Sequence, residues 1–167
     1  MRLPAVVTPG AGFATVFLDP TANTLQVNVT FGNLTSPTTA SHIHCCMPLG
    51  MNAIVATTTP TFPGFPLGVT AGGYISPVFD LTLSSSYNPD FITAHGGTAL
   101  SAEAALIQGM ETGLSYLNIH TMAHLSGEIR GQLSAVPGPI VGAGLPGLIA
   151  ACGVLLALAR RRRKLVA

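Results

Sequence analysis

The sequence predicts an all-β Greek-key sandwich with one short crossover helix, followed by a single C-terminal transmembrane helix. Three observations lead there. Short segments with two-residue alternation recur between turns rich in Gly, Pro and Asn. One segment carries helix-capping signals. Near the end, 20 uncharged residues (Ile140 to Ala159) precede five consecutive basic ones, Arg160 to Lys164.

The first two strands are Phe13 to Leu18 and Thr24 to Phe31, joined by the turn Asp19-Pro20-Thr21-Ala22-Asn23. The second alternates strictly. Leu25, Val27, Val29 and Phe31 share one face, and Thr24, Gln26, Asn28 and Thr30 the other, so one face is core and one is solvent. Further strands are expected at Ala40 to Cys46, Ala53 to Thr57, Tyr74 to Leu83, Ser115 to Thr121 and Gly127 to Leu133. Pro60, Pro63 and Pro66 make Thr59 to Thr70 irregular. The helix begins at Ser101 as N-cap, carries Glu103 in its first turn and stops at Gly113. Leu100, Ala104 and Ile107 are its expected buried stripe. Antiparallel strands with one helical crossover fit a Greek-key sandwich.

At 1.5 Å rise per residue, residues 140–159 form a helix of roughly 30 Å, the thickness of a bilayer's hydrocarbon core. The basic cluster then stays cytoplasmic, which places the preceding residues across the membrane. The order Val136-Pro137-Gly138-Pro139, apolar span, Arg160-Arg161-Arg162-Arg163 resembles the PEP-CTERM class of bacterial sorting signals. That resemblance implies an exosortase-type processing enzyme as a partner and retention in the envelope or at the cell surface. Val-Pro-Gly-Pro stands here for the usual Pro-Glu-Pro. The expected organisation is an N-terminal remnant (1–11), the sandwich (12–135), a Pro-Gly linker (136–139), the transmembrane helix (140–159) and a basic tail (160–167). Met1 to Phe13 lacks the apolar stretch of a signal peptide, so a natural start upstream of Met1 is expected.

The net charge of +1 conceals an asymmetry. Five of the seven basic residues are in the tail, which leaves Arg2 and Arg130 against six acids and no lysine. Such a domain does not suit nucleic acid as a partner. Cys45 and Cys46 are adjacent, and Cys152 lies in the apolar span, so no disulfide framework is available. The adjacent pair reads equally as a strained vicinal disulfide, a metal-adjacent thiol or two small buried hydrophobes.

Alternation puts His42 and His44 on one face of their strand, opposite Ile43. It puts His120 and Asn118 on one face of theirs, opposite Leu117 and Ile119. If these strands pair, three imidazoles converge on the outer face, a donor set that suits Cu(II) or Zn. Glu128 and Arg130 face outward on the last strand. Arg130 is read either as a surface ion pair with Glu128 or Glu111 or as an attractor of a small anion. His95 and His124 fall in loops.

The segments Ser41-His42-Ile43-His44-Cys45-Cys46, Thr59 to Pro66, Tyr116-Leu117-Asn118-Ile119-His120-Thr121 and Gly127-Glu128-Ile129-Arg130-Gly131-Gln132-Leu133 resemble, in order, the CHRD domain. The domain is named from chordin and is also widespread in bacterial exported proteins. The resemblance covers roughly Gly12 to Leu133 and implies an immunoglobulin-like β-sandwich. Two departures stand out: His95 where an Asn is expected, and His124-Leu125-Ser126 before Gly127-Glu128, which makes His124 a candidate fourth ligand. The histidine pattern is also similar to the outward-facing copper site of copper/zinc superoxide dismutase.

The reading that follows is an exported envelope or surface module without catalytic residues. It binds copper, with zinc as the alternative, through His42, His44 and His120, and takes a polysaccharide or protein partner. The alternatives are a copper-dependent enzyme of superoxide or other oxygen chemistry, and a periplasmic metal storage or delivery protein. Histidine ligation predicts that metal affinity falls as pH drops through about 6.5.

Overall fold

A computed structural model describes residues 6–136. The chain divides into two units, Met1–Ala135 and Val136–Ala167, and the elements that follow belong to the first. β1 (Ala11–Asp19) and β2 (Thr24–Gly32) form an antiparallel hairpin paired from Ala11↔Gly32 to Asp19↔Thr24. The turn closes because the Asp19 carboxylate accepts N–H bonds from Thr21 and Ala22, both at 2.9 Å. Asn23 then takes the left-handed conformation (φ 55°) that its side chain tolerates.

β3 (Thr38–Cys45) and β4 (Ile54–Val55) leave this sheet for a second one. β5 (Gly72–Ile75) and β6 (Phe79–Asp80) return to the first and pair with successive parts of β2. After a 3-10 turn at Ser84–Ser86 come α1 (Pro89–Ala94) and α2 (Ala99–Glu111). β7 (Ser115–Thr121) and β8 (Ile129–Gln132) complete the second sheet in the order β4-β3-β7-β8.

The two sheets share one core. Leu25, Val27, Val29 and Phe31 of β2 are all buried, as their alternation requires. Opposite them lie Ile43, Leu117 and Ile119 of the second sheet. Phe62 and Phe65, from the Pro-rich irregular stretch, fill the same core against Tyr74 and Phe79. An irregular backbone thus delivers two of the larger core side chains.

The expected immunoglobulin-like Greek-key sandwich with one crossover helix and a C-terminal transmembrane helix is corrected, among the described residues, to a mostly β fold of two small sheets with two α-helices. Among the described residues no helix is long and apolar enough to cross a membrane. Residues 140–159, on which that expectation fell, lie outside the described residues. The extra helix, α1, starts where Asn88 caps it and Pro89 occupies its first turn. The expected long strand Tyr74 to Leu83 is broken into β5 and β6, because Pro77 cannot donate to a ladder.

α2 also starts earlier than expected. Thr98, not Ser101, is its N-cap, and Ser101 sits three residues on as the reciprocal member of a capping box. Its buried face is Ala102, Glu103, Leu106, Gly109 and Met110, whereas Leu100 is 76% exposed. Gly109 explains the shift. A Cβ there would lie 2.1 Å from Cys45 Sγ, so the bare helix backbone is what meets β3. Cys45 and Cys46 form a vicinal disulfide, with Cys46 at a positive φ of 149°. The Ser115 hydroxyl donates to Cys45 Sγ at 3.4 Å.

Candidate metal centre

β3 and β7 are the two inner strands of their sheet and pair antiparallel, with Ala40↔His120, His42↔Asn118 and His44↔Tyr116. Side chains that alternate outward on both strands therefore form one patch: His42 and His44 from β3, and Tyr116, Asn118 and His120 from β7. Their neighbours Ile43, Leu117 and Ile119 point into the core, at 0%, 4% and 1% exposure.

The patch is outward but not open. Loops cover it, leaving His42 and His44 buried and His120 half-buried. Each covering loop supplies one carbonyl to one imidazole. His42 Nε2–H donates to Pro60 O, His44 Nδ1–H to Ala53 O at 2.9 Å, and His120 Nδ1–H to Leu125 O at 2.8 Å. A carbonyl only accepts, so these bonds fix each tautomer and leave the other nitrogen as a lone pair.

Those lone pairs are His42 Nδ1, His44 Nε2 and His120 Nε2. One ligand atom from each ring can be chosen so that all three lie within 4.8 Å of one another. His42 Nδ1 and His120 Nε2 are 3.3 Å apart. With both protons engaged elsewhere, this contact sets lone pair against lone pair. His44 Nε2 is buried without a hydrogen-bond partner. An orphaned imidazole nitrogen beside two facing lone pairs is unfavourable for the protein alone and suited to a shared cation.

The surroundings keep the rings neutral. Burial pushes the His44 pKa down to about 4, the Ala53 carbonyl opposes this, and His120, His42 and Arg130 add to the lowering. Burial lowers His42 against the Pro60 bond, helped by His120, and lowers His120 against the Leu125 bond. Neutral imidazole is the ligand form, so proton competition sets in at lower pH than the 6.5 expected of a free histidine.

Two side chains brace the cluster. The Tyr116 ring stacks on His44 with centroids 4.8 Å apart and planes 6° from parallel, and its hydroxyl accepts from the Ala53 N–H at 3.1 Å. Ala53 therefore clamps His44 and Tyr116 together. Asn118 Nδ2 donates to Ser126 O at 3.1 Å and lies 3.4 Å from His120 Nε2. Gly127 makes room for it. A Cβ there would fall 2.2 Å from Asn118 Oδ1, and its φ of 110° also favours glycine. Tyr116 is the participant the sequence reading passed over. Its place in Tyr116-x-Asn118-x-His120 carries the signal, since strict alternation puts all three on one face.

Other candidates fall elsewhere. His95 ends α1, with Nδ1 bonded to Phe91 O at 2.9 Å. His124 is not part of the three-histidine group. Glu128, expected at the surface, is buried. Its carboxylate accepts from the Thr8 hydroxyl (2.6 Å), the Thr35 N–H (2.7 Å) and the Thr121 hydroxyl (2.7 Å). Burial raises its pKa, but these bonds outweigh burial and hold it at about 2. Glu128 is thus committed away from Arg130, whose guanidinium lies over the Tyr116 ring at 4.9 Å and donates to Asn52 Oδ1 at 3.3 Å.

The ordered His-Ile-His, Asn-Ile-His-Thr and Gly-Glu-Ile-Arg-Gly segments now sit together in one sheet and its edge. The family model described as CHRD domain matches residues 2–133. The chain belongs to the CHRD family. Neither the curated proteins nor the solved structures contain a match to it. Family membership supports an extracellular module, and the three histidines of this CHRD domain could hold a metal ion.

Proposed function

We propose that this CHRD domain is an exported envelope or surface module that binds a transition metal through His42 Nδ1, His44 Nε2 and His120 Nε2. One observation carries the reading: three imidazole lone pairs converge while each opposite N–H is tied to a backbone carbonyl. Copper is the favoured metal. The donors are all nitrogen, no thiolate or carboxylate joins the set among the described residues, and Cu(II) heads the affinity order for such sites, ahead of zinc. Two ligands on one ion, each at about 2 Å, sit no more than about 4 Å apart, so loading draws the rings slightly inward.

A bacterial source and sorting by an exosortase-type enzyme are supported by the PEP-CTERM-like order of residues 136–167. Low charge and abundant hydroxyl side chains support a polysaccharide or protein partner in the envelope. A second reading, copper-dependent oxygen chemistry, draws support from the absence, among the described residues, of a fourth His, Cys, Asp or Glu ligand from the group. An open coordination position is what such chemistry needs.

The test is metal content of the purified full chain against a variant carrying His42→Ala, His44→Ala and His120→Ala. About one copper per chain, lost in the variant, is the expected result. Negligible metal in both proteins overturns the reading.

A further inference from the structure

β1 is the outer strand of the first sheet, in the order β1-β2-β5. Its free bonding direction follows from its partner. In β2, Val27 is bonded away from β1: Ser76 N–H donates to Val27 O and Val27 N–H donates to Ser76 Oγ, both at 2.9 Å. In an antiparallel ladder the residue opposite, Val16, then turns its own N–H and C=O away from β2. The register is unbroken, so Gly12, Ala14 and Leu18 also present their backbone groups to the outer edge. Among the described residues, none of these groups has a hydrogen-bond partner.

Such edges are normally blunted by proline, lysine, a bulge or short length. β1 has none of these protections. It is nine residues long, carries no proline, lysine or arginine, and pairs without a register shift. Phe13 and Phe17 stand on its outward face at 73% and 55% exposure, with Thr15 exposed between them. The start of this edge borders a cleft of about 530 Å³, lined by residues 10–14 on one side and 126–131 on the other. Space beside the strand is therefore available.

We infer that the open edge of β1 is a homodimer interface, taken by β1 of a second copy in antiparallel pairing about a two-fold axis at Thr15. Self-complementarity selects this occupant. Thr15 is the midpoint of Ala11–Asp19, so the axis overlaps all nine residues. It sets Ala14 opposite Val16 and Gly12 opposite Leu18 of the second copy, which joins the residues whose backbone groups are free. It also sets Phe13 opposite Phe17 of the second copy, twice, on one outer face. Cross-strand aromatic pairs of this kind are favourable. The strand's one charge, Asp19, falls opposite Ala11, so like charges do not meet. The contact is isologous and closes at two copies. It does not depend on metal binding.

The experiment is sedimentation equilibrium of the full chain in a mild detergent over about 1 to 100 µM, where mass action separates monomer from dimer. The variants are Thr15→Lys and Thr15→Glu, because residue 15 is exposed in the single chain and faces itself in the pair. Thermal unfolding checks that each variant folds. The expected result is a wild-type dimer, self-association weakened about tenfold or more in either variant, and dimers restored when the two are mixed. Amide exchange of wild type gives a readout free of substitution: Ala14 and Val16 should exchange more slowly as protein concentration rises. A monomeric wild type overturns the inference. A dimer that both variants keep unchanged, or Ala14 and Val16 amides indifferent to concentration, also overturns it and moves any contact away from β1.

Discussion

The outer faces of the two sheets are built from the same alternating pattern and end up as different environments. On the first sheet, Thr30 of β2 stays exposed, as do Phe13, Phe17 and Ile75 at 73%, 55% and 70% exposure. On the second sheet, the outward residues His42, His44, Tyr116 and Asn118 are all buried. Strand geometry does not distinguish them. The second sheet is roofed by the loops that carry Ala53, Pro60 and Leu125, and each loop delivers a carbonyl to one imidazole. A solvated polar face becomes a pre-organised donor set once backbone acceptors fix the tautomers and water is displaced.

The strongest way to break this contrast is Tyr116→Ala. It removes a ring that is 4% exposed, stacked on His44 and bonded to Ala53. A loss of about 3 kcal/mol in unfolding free energy is expected, as for other buried aromatic truncations, along with weaker copper binding. Urea unfolding of apo protein and copper titration of the same sample check both parts. Unchanged copper affinity would show that the roof, without the ring, holds His44.

A subtler effect is carried by pH at the edge of the roofed sheet. Glu128 has its pKa lowered from 4.5 to about 2 by Thr8, Thr35 and Thr121. Because the folded value is the lower one, its stabilisation is fully present above about pH 4.5 and is lost as pH falls toward 2. Thermal unfolding followed between those values should show a steeper loss in wild type than in Glu128→Gln. Parallel curves would mean that the carboxylate is not the group being protonated.

The smallest effect belongs to the uncovered face. Thr30→Ala should change stability by less than about 0.5 kcal/mol, since the residue is exposed and packs under no loop. A larger cost in thermal unfolding would reveal that this face too is covered.

Alternation was legible wherever it could be read within one strand. Leu25 to Phe31 announced the core face of β2, and Ser115 to Thr121 matched β7 to the residue. The sides taken by His42, His44 and His120 followed from the same rule. α1 was missed because it is short and sits between Pro89 and the turn at His95, where a loop reading fits equally well. The buried stripe of α2 was misplaced because Leu100 and Ile107 look more apolar than Gly109, although contact with Cys45 depends on Gly109 having no side chain. Glu128 was assigned to solvent because its three donors come from Thr8, Thr35 and Thr121, distant in sequence.

The sequence by itself therefore determined the all-β class and the inward or outward side of the residues along β2, β3 and β7. Those are local properties, fixed by a two-residue period. Only the tertiary structure decided that β3 lies beside β7, that three separate loops close over their outer face, and that each loop binds one particular nitrogen. Backbone carbonyls carry no residue identity, so no pattern of side chains could have announced which of them would meet which imidazole.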